Sequence, residues 1–241
     1  MKWSSASLCH AGVVREMNED ACLDLPDAGV WVVADGMGGH EEGALASRLI
    51  VESLAQVGQY SRLSKLVDEV EDRLRAVHVE LVERAVEQSV VGSTVAALVV
   101  MQHYSVCLWV GDSRVYRFRE GVLTQLTQDH SYVEELIEHG RLAREEAEMH
   151  PDANVITRAV GAGEELYLDA RLEEVRPADL YLICSDGLYR EVCEQEIAEQ
   201  MVSADCRRIC DRLVNLALER GAQDNVTVVS VAIDDDTCST S

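Results

Sequence analysis

The sequence predicts an α+β fold: a four-layer α-β-β-α sandwich, with two antiparallel sheets stacked face to face and helices on their outer sides. Three observations lead there. Short apolar, β-branched runs follow one another between residues 92 and 123 with only tight turns between them, which is the pattern of antiparallel strands. Two pairs of helical stretches interrupt the strands, in the order strands, two helices, a run of strands, two helices, a strand. No internal repeat and no linker divides the chain, so residues 1–233 are expected to form one domain, followed by a polar, acidic tail over 234–241.

Residues 2–9 and 20–25 are predicted strands flanking a turn that holds Arg15-Glu16-Met17-Asn18-Glu19-Asp20. Arg15 is a lone base beside a cluster of acids, which from this segment alone suits a surface salt bridge. Val30-Trp31-Val32-Val33-Ala34 has the character of a buried strand and stops at Asp35-Gly36-Met37-Gly38-Gly39-His40. A carboxylate is thus placed at the mouth of a strand, and Gly36 lets its own carbonyl face whatever Asp35 faces. A helix is predicted over about 42–57. A second carries Leu63, Leu66, Val67, Val70, Leu74, Val77, Leu81 and Val82 at helical spacing, with charges on its other face. His78 lies beside that stripe and is assigned to packing.

Strands are predicted at 92–101, 104–110 and 115–119, the last turned by Glu120-Gly121 into Val122-Leu123. Thr127-Gln128-Asp129-His130-Ser131 is a capping signal for a helix to about residue 139. The Glu-rich segment to Pro151 and the stretch 154–161 interrupt the strands with few apolar anchors, so residues 130–160 are expected to form a mobile flap. Residues 166–175 and 179–185 are expected to pair as strands around Arg176-Pro177-Ala178. Helices at 194–202 and 205–220 follow, the second burying Cys206, Ile209, Cys210, Leu213 and Ala217, and a last strand runs 226–233.

The formal charge of −23 over 241 residues argues against nucleic acid or an anionic membrane surface as a partner, because both need a basic footprint. No apolar run approaches the roughly 20 residues that span a bilayer, and the N-terminus lacks the apolar core of a signal peptide. A soluble, cytoplasmic protein without membrane insertion is expected. The eight cysteines include no C-x-x-C pair and several lie inside apolar strands, as buried thiols in a reducing compartment would.

Asp35-Gly36, Asp186-Gly187 and Asp224-Asn225 each adjoin an apolar strand, and Asp112 is a fourth strand-end aspartate, beside Gly111. A single Asp-Gly is usually a turn. Aspartates this far apart in sequence that converged on one point would repel one another unless a cation lay among them, and an all-oxygen ligand set suits a hard divalent ion, Mg²⁺ or Mn²⁺. On the residues alone, turns and a carboxylate metal site both stay open.

Seven motifs then stand in a fixed order: Arg15-x-x-Asn18-Glu19-Asp20, Asp35-Gly36-Met37-Gly38-Gly39-His40, Gly92-Ser93-Thr94, Gly111-Asp112-Ser113-Arg114, Thr127-x-Asp129-His130-Ser131, Ser185-Asp186-Gly187 and Asp224-Asn225-Val226-Thr227. Together they resemble the metal-dependent Ser/Thr protein phosphatases of the type 2C kind, in their compact bacterial form, from residue 7 to about 233. The resemblance implies a helix-flanked β-sandwich with two Mn²⁺ or Mg²⁺ ions at one end. Asp35 would bridge them, and Asp186 and Asp224 would hold the first. The Gly36 carbonyl and Glu19, or Asp20 through water, would serve the second. Asp112 and Asp186 would hold a looser third ion. Arg15 would grip the substrate phosphate as a fork. A metal-bridging water would attack phosphorus in line, with no phosphoenzyme and no cysteine nucleophile.

One departure concerns the general acid. Some members place His directly after Asp-Gly; here Met37-Gly38-Gly39 intervene, so that His40 either protonates the leaving group or only bonds to ordered water. The N-terminal stretch and small size are also similar to the stand-alone phosphatases that oppose a membrane Ser/Thr kinase in type VI secretion control. The implied partners are Ser/Thr-phosphorylated proteins and their cognate kinase, with the phosphatase a monomer. Two other readings stay open: a catalytically inactive phosphoprotein-binding module, and a phosphatase of small phosphoesters.

Overall fold

A computed structural model of the chain describes residues 2–85, 91–203 and 205–234, without the side chains of His40 and Glu148. Among these residues, eleven strands form two antiparallel sheets: β1 (Trp3–His10), β2 (Asp20–Leu25), β3 (Val30–Met37), β4 (Gly92–Ser93), β5 (Val95–Met101), β6 (Tyr104–Val110), β7 (Arg114–Arg119), β8 (Val122–Gln125), β9 (Asp169–Glu174), β10 (Leu180–Cys184) and β11 (Val226–Ile233). Sheet one runs β1-β11-β10-β7-β8; sheet two runs β2-β3-β5-β6-β9, with β4 paired to the end of β3. The helices are α1 (His40–Leu54), α2 (Leu63–Arg84), α3 (Tyr132–Glu138), α4 (Asp186–Tyr189), α5 (Glu194–Met201) and α6 (Cys206–Glu219).

Alternation along the strands builds the layers. Trp31 and Val33 of β3 face sheet one, while Val30, Val32 and Ala34 face α1 and α2. On β11, Val229, Val231 and Ile233 face sheet two, while Val226, Val228 and Ala232 pack toward α6. Both faces of these strands are covered, which is why they read as unbroken apolar runs. Three apolar interfaces thus separate four layers, the α-β-β-α sandwich that the sequence predicts. Trp31 and Tyr181 are fully buried between the sheets, each contributing about 1.5–3 kcal/mol. Trp31 Nε1 donates to Asp24 Oδ1 at 2.9 Å, which also accepts from Ser5 Oγ at 2.6 Å, so one carboxylate ties the edge strands β1 and β2 together.

Strands adjacent in sequence do not always share a sheet. β6 and β7 are separated only by Gly111, Asp112 and Ser113, yet lie in opposite sheets. Gly111 adopts φ +100° there, which a side chain would strain. The hairpin expected between residues 166–175 and 179–185 does not form: β9 pairs with β6, and β10 lies between β7 and β11. Asp179 anchors the crossing. Its fully buried carboxylate accepts the Arg176 N–H at 2.8 Å and both ends of an Arg119 fork at 2.6 and 2.7 Å, drawing the chain onto β7 of the other sheet.

The strand expected over 92–101 breaks at Thr94, and β3 continues through Asp35 and Gly36 to Met37 instead of stopping at the aspartate. α1 opens at His40, two residues ahead of the predicted start, and a one-turn helix, α4, follows β10. α3 is capped as expected, Ser131 Oγ accepting from the Glu134 N–H at 3.3 Å, and α6 buries all five residues that its spacing predicts. His78 is a packing residue: it is buried, and its Nδ1 accepts from the Gly161 N–H at 3.0 Å. The seven described cysteines are free thiols. Tail residues 235–241 lie outside the described residues.

Candidate metal centre and active site

The ends of both sheets meet at one cavity of about 370 Å³. Asp35 reaches it from β3, Asp112 from the crossing between β6 and β7, Asp186 from the first residue of α4, and Asp224 from the turn before β11. Arg15, Glu19 and Gly36 line the same cavity, so seven of the nine predicted site residues converge. Asp20 sits behind it: the residue is buried, stands opposite Asp35 in the β2–β3 register, and accepts from Ser185 Oγ at 2.7 Å. The His40 side chain lies outside the described residues; its backbone follows Gly39, which lines the cavity.

The backbone around Asp35 is clasped on two sides. Thr94 Oγ1 accepts the Asp35 N–H at 3.1 Å, and the Thr94 N–H donates to the Asp35 carbonyl at 2.8 Å. This clasp is what breaks the 92–101 strand. On the other side Gly36 packs against α1 so closely that a Cβ there would lie 2.1 Å from the Gly43 carbonyl oxygen. Asn225 fastens the early loop to the last strand. Its Oδ1 accepts the Glu19 N–H at 2.7 Å, and its Nδ2 donates to the carbonyls of Ala11 and Met17 at 3.0 and 3.1 Å.

Clustered charge dominates the electrostatics. Burial, reinforced by Asp20, Asp186, Asp112 and Asp224, holds the Asp35 carboxyl well above the usual carboxylate range. Burial raises Asp112 to about 7, with Asp186 and Asp129 adding to it. Burial raises Asp20 to about 7 as well, against hydrogen bonds from Ser185 and Thr227. Asp186 is also raised by burial, and Arg190 offsets part of the shift. Oδ1 of Asp186 and Oδ1 of Asp20 are buried without a hydrogen-bond partner. Acidic oxygens that repel, with orphaned atoms among them, suit a hard divalent cation. Among the described residues, no three His, Cys, Asp or Glu side chains already close on a single point. Asp224 instead meets Arg15 at 2.9 Å, and Asp186 meets Arg190 at 2.9 Å. Arg15 does form a salt bridge, but with the distant Asp224 and inside the cavity, where its own segment suggests one at the surface.

The flap is rooted more firmly than its composition suggests. Isolated bridges join Ser93 to Val160 and Ser131 to Ile156, and Val133 and Val160 are buried. His130 ties the root to the Asp112 crossing: its Nδ1 accepts the Gly111 N–H at 3.1 Å, its carbonyl accepts the Thr157 N–H at 2.8 Å, and its Nε2 meets Asp169 at 3.0 Å. None of the described side chains from 141 to 155 is fully buried. Asn154 and Ile156 line the cavity. The roles of these two, with those of Thr94, Asn225 and Arg190, escape sequence reasoning. The signals available are that Thr94 and Asn225 stand in two of the seven motifs and that Arg190 follows Asp186 by four residues, one helical turn.

Residues 12–227 match the family model described as Protein phosphatase 2C. The chain is 36% identical over 221 residues to the serine/threonine protein phosphatase PstP of Mycobacterium tuberculosis, covering 90% of this chain and 42% of that protein; it thus spans less than half of that relative's length. Among solved structures it matches PppA, described as a key regulatory component of T6SS in Pseudomonas aeruginosa, with TM-score 0.88 and 42% identity, over 97% of this chain and 99% of that one. It also matches the catalytic domain of PstP in complex with two manganese ions, with TM-score 0.84 and 33% identity, over 97% of this chain and 99% of that one. A chain whose strand-end aspartates converge beside an early arginine, and whose sequence matches from residue 12 to 227, belongs to the protein phosphatase 2C family of metal-dependent Ser/Thr phosphatases.

Proposed function

We propose that this chain is a metal-dependent phosphoprotein phosphatase that hydrolyses phosphoserine and phosphothreonine. The observation that carries the reading is the convergence of Asp35, Asp186, Asp224 and Arg15 on one cavity. Asp35, Asp186, Asp224, Glu19 and the Gly36 carbonyl would hold two Mn²⁺ or Mg²⁺ ions, with Asp20 acting from behind through water. When bound, the ions neutralise the carboxylates, lower the pKa of a water nucleophile and draw charge from the phosphoryl group.

Arg15 binds the substrate phosphate. Its guanidinium is about two-fifths exposed where it pairs with Asp224, so water screens that pair and a phosphoryl oxygen can replace the carboxylate. Asn225 keeps the loop of Arg15 in register with Asp224 throughout. Direct hydrolysis is favoured over a thiol phosphoenzyme: no cysteine lines the cavity among the described residues, and burial raises the Cys9, Cys107 and Cys184 thiols. We assign leaving-group protonation to His40. The open flank formed by Asn154 and Ile156 suits a protein-borne phosphate, and the flap selects among such substrates.

Hydrolysis of p-nitrophenyl phosphate and of a phosphothreonine peptide, with and without Mn²⁺, tests the reading. Cleavage of neither would make the chain an inactive phosphoprotein-binding module, and cleavage of the small ester alone would make it a small-phosphoester phosphatase. We further place residues 1–233 in one catalytic domain, working as a cytoplasmic monomer. No helix among the described residues is long and apolar enough to cross a membrane. The likeness to PppA supports a role in type VI secretion control, opposing a Ser/Thr kinase. Deleting the gene should then raise phosphorylation of a secretion component and alter secretion; unchanged phosphorylation and secretion would remove that role.

A further inference from the structure

We propose that Arg190 is a built-in cation at the Asp112–Asp186 position, competing with any third metal ion there, and that through Asn154 it fastens the flap to the site. The proposal rests on the metal-phosphatase reading above. The one-turn helix α4 places Asp186 and Arg190 a turn apart. Nη2 of Arg190 lies 2.9 Å from Asp186 Oδ2 and 3.7 Å from Asp112 Oδ2. Its Nη1 donates to Asn154 Oδ1 in the flap. One planar guanidinium thus reaches two carboxylates and the flap, where an ammonium could keep its charge at the carboxylates but not hold all three partners at once. Its side chain is 30% exposed, against 8% for Asp112 and 13% for Asp186, so this is an ion pair within the site and not a solvated surface pair.

The two oxygens of Asp186 are divided. Arg190 takes Oδ2, while Oδ1 is buried without a partner. Oδ1 would thus remain for a core ion while Arg190 stays in place. An ion between Asp112 and Asp186 needs the carboxylate edge that the guanidinium holds, and two cations cannot share it without strong repulsion. Displacing Arg190 would also remove the donor to Asn154. Entry of a third ion and release of the flap are then one event.

Mn²⁺ binding by calorimetry and equilibrium dialysis, on wild type, Arg190→Ala, Arg190→Lys and Asn154→Ala, tests this, with circular dichroism to confirm folding. Wild type should bind two ions tightly and a third only weakly. Arg190→Ala should bind the third at least about tenfold tighter, while Arg190→Lys, which keeps the charge, should leave it weak. Hydrogen exchange of the metal-free proteins reads the second half. Residues 141–155 should exchange several-fold faster in Arg190→Ala and in Asn154→Ala than in wild type. If Arg190→Ala does not fold, the Lys and Asn154 variants still decide: a tightened third ion in Arg190→Lys, or unchanged exchange in Asn154→Ala, would overturn the proposal. Equal third-ion affinity in wild type and Arg190→Ala would overturn it while leaving the two-ion reading intact. Absence of Mn²⁺ binding in every variant would overturn both.

Discussion

At Asp35, burial and four neighbouring carboxylates all push the same way. Replacing it should therefore have opposite effects on stability and on function. Asp35→Asn removes a carboxyl that folding must either bury charged beside other acids or protonate, so the metal-free protein should melt at a higher temperature than wild type. It also removes a charged ligand, so Mn²⁺ affinity and turnover should each fall by at least about 100-fold. Thermal melts with and without Mn²⁺, beside p-nitrophenyl phosphate assays, would check both, and turnover close to wild type would remove Asp35 from the metal site. Arg15→Ala should leave Mn²⁺ stoichiometry at the wild-type value and raise KM about tenfold, with any fall in kcat reporting transition-state contacts. Unchanged steady-state constants would leave Arg15 only its pair with Asp224. The aspartates were legible as candidates because each adjoins an apolar run, and the order of the seven motifs, more than any one position, turned them into a site. Thr94, Asn225 and Arg190 were not legible in that way. Their roles depend on which backbone or carboxylate the fold brings beside them, and a polar side chain after a strand has many ordinary uses.

Elements with long periodic patterns, such as α2 and α6, could be read directly, whereas α4 has only four residues and no periodicity to find. The sheet crossings after β6 and β9 were hidden for a different reason. A short turn between two strands reads as a hairpin, and nothing in the sequence of β10 announces its ladders to β7 and β11 or the hold of Arg119 on the buried Asp179. The contact between β3 and α1 is among the tightest at the site. Gly36→Ala would drive a methyl into the Gly43 carbonyl, and should cost about 1–3 kcal/mol of stability in urea titrations while displacing Asp35. A wild-type midpoint would mean that the helix moves aside freely. The flap offers a complementary test. Replacing residues 132–150 with a neutral linker should keep p-nitrophenyl phosphate hydrolysis within a few-fold, yet change phosphoprotein hydrolysis by on the order of tenfold. Equal losses on both substrates would mean that the flap supports the metal site through the root at His130 and does not select substrates.

Across the whole molecule the buried carboxylates make stability depend on pH. Asp20 and Asp112 ionise near 7 in the fold, with Asp35 and Asp186 also raised, while unfolded carboxylates ionise near 4. Between about pH 4 and 7 the native state holds more protons than the unfolded chain, so this group of residues makes stability fall as pH rises. The metal-free protein should melt on the order of 5 °C higher at pH 5 than at pH 7.5. Mn²⁺ should raise the melting temperature more at pH 7.5, where its ligands are ionised. Equal melting temperatures at both pH values in the metal-free protein would contradict the clustering. Sheet order adds a constraint of timing. β11 is the last strand among the described residues, yet it lies inside sheet one between β1 and β10, and the whole β1 ladder is formed on it. The first strand must wait for the last, which also delivers Asp224 and the Asn225 tie to the Arg15 loop. A nascent chain bearing Arg15, Asp35, Asp112 and Asp186 still lacks a site until residues 226–233 have left the ribosome and threaded between two strands made long before. The candidate site is complete only once β11 has paired between β1 and β10.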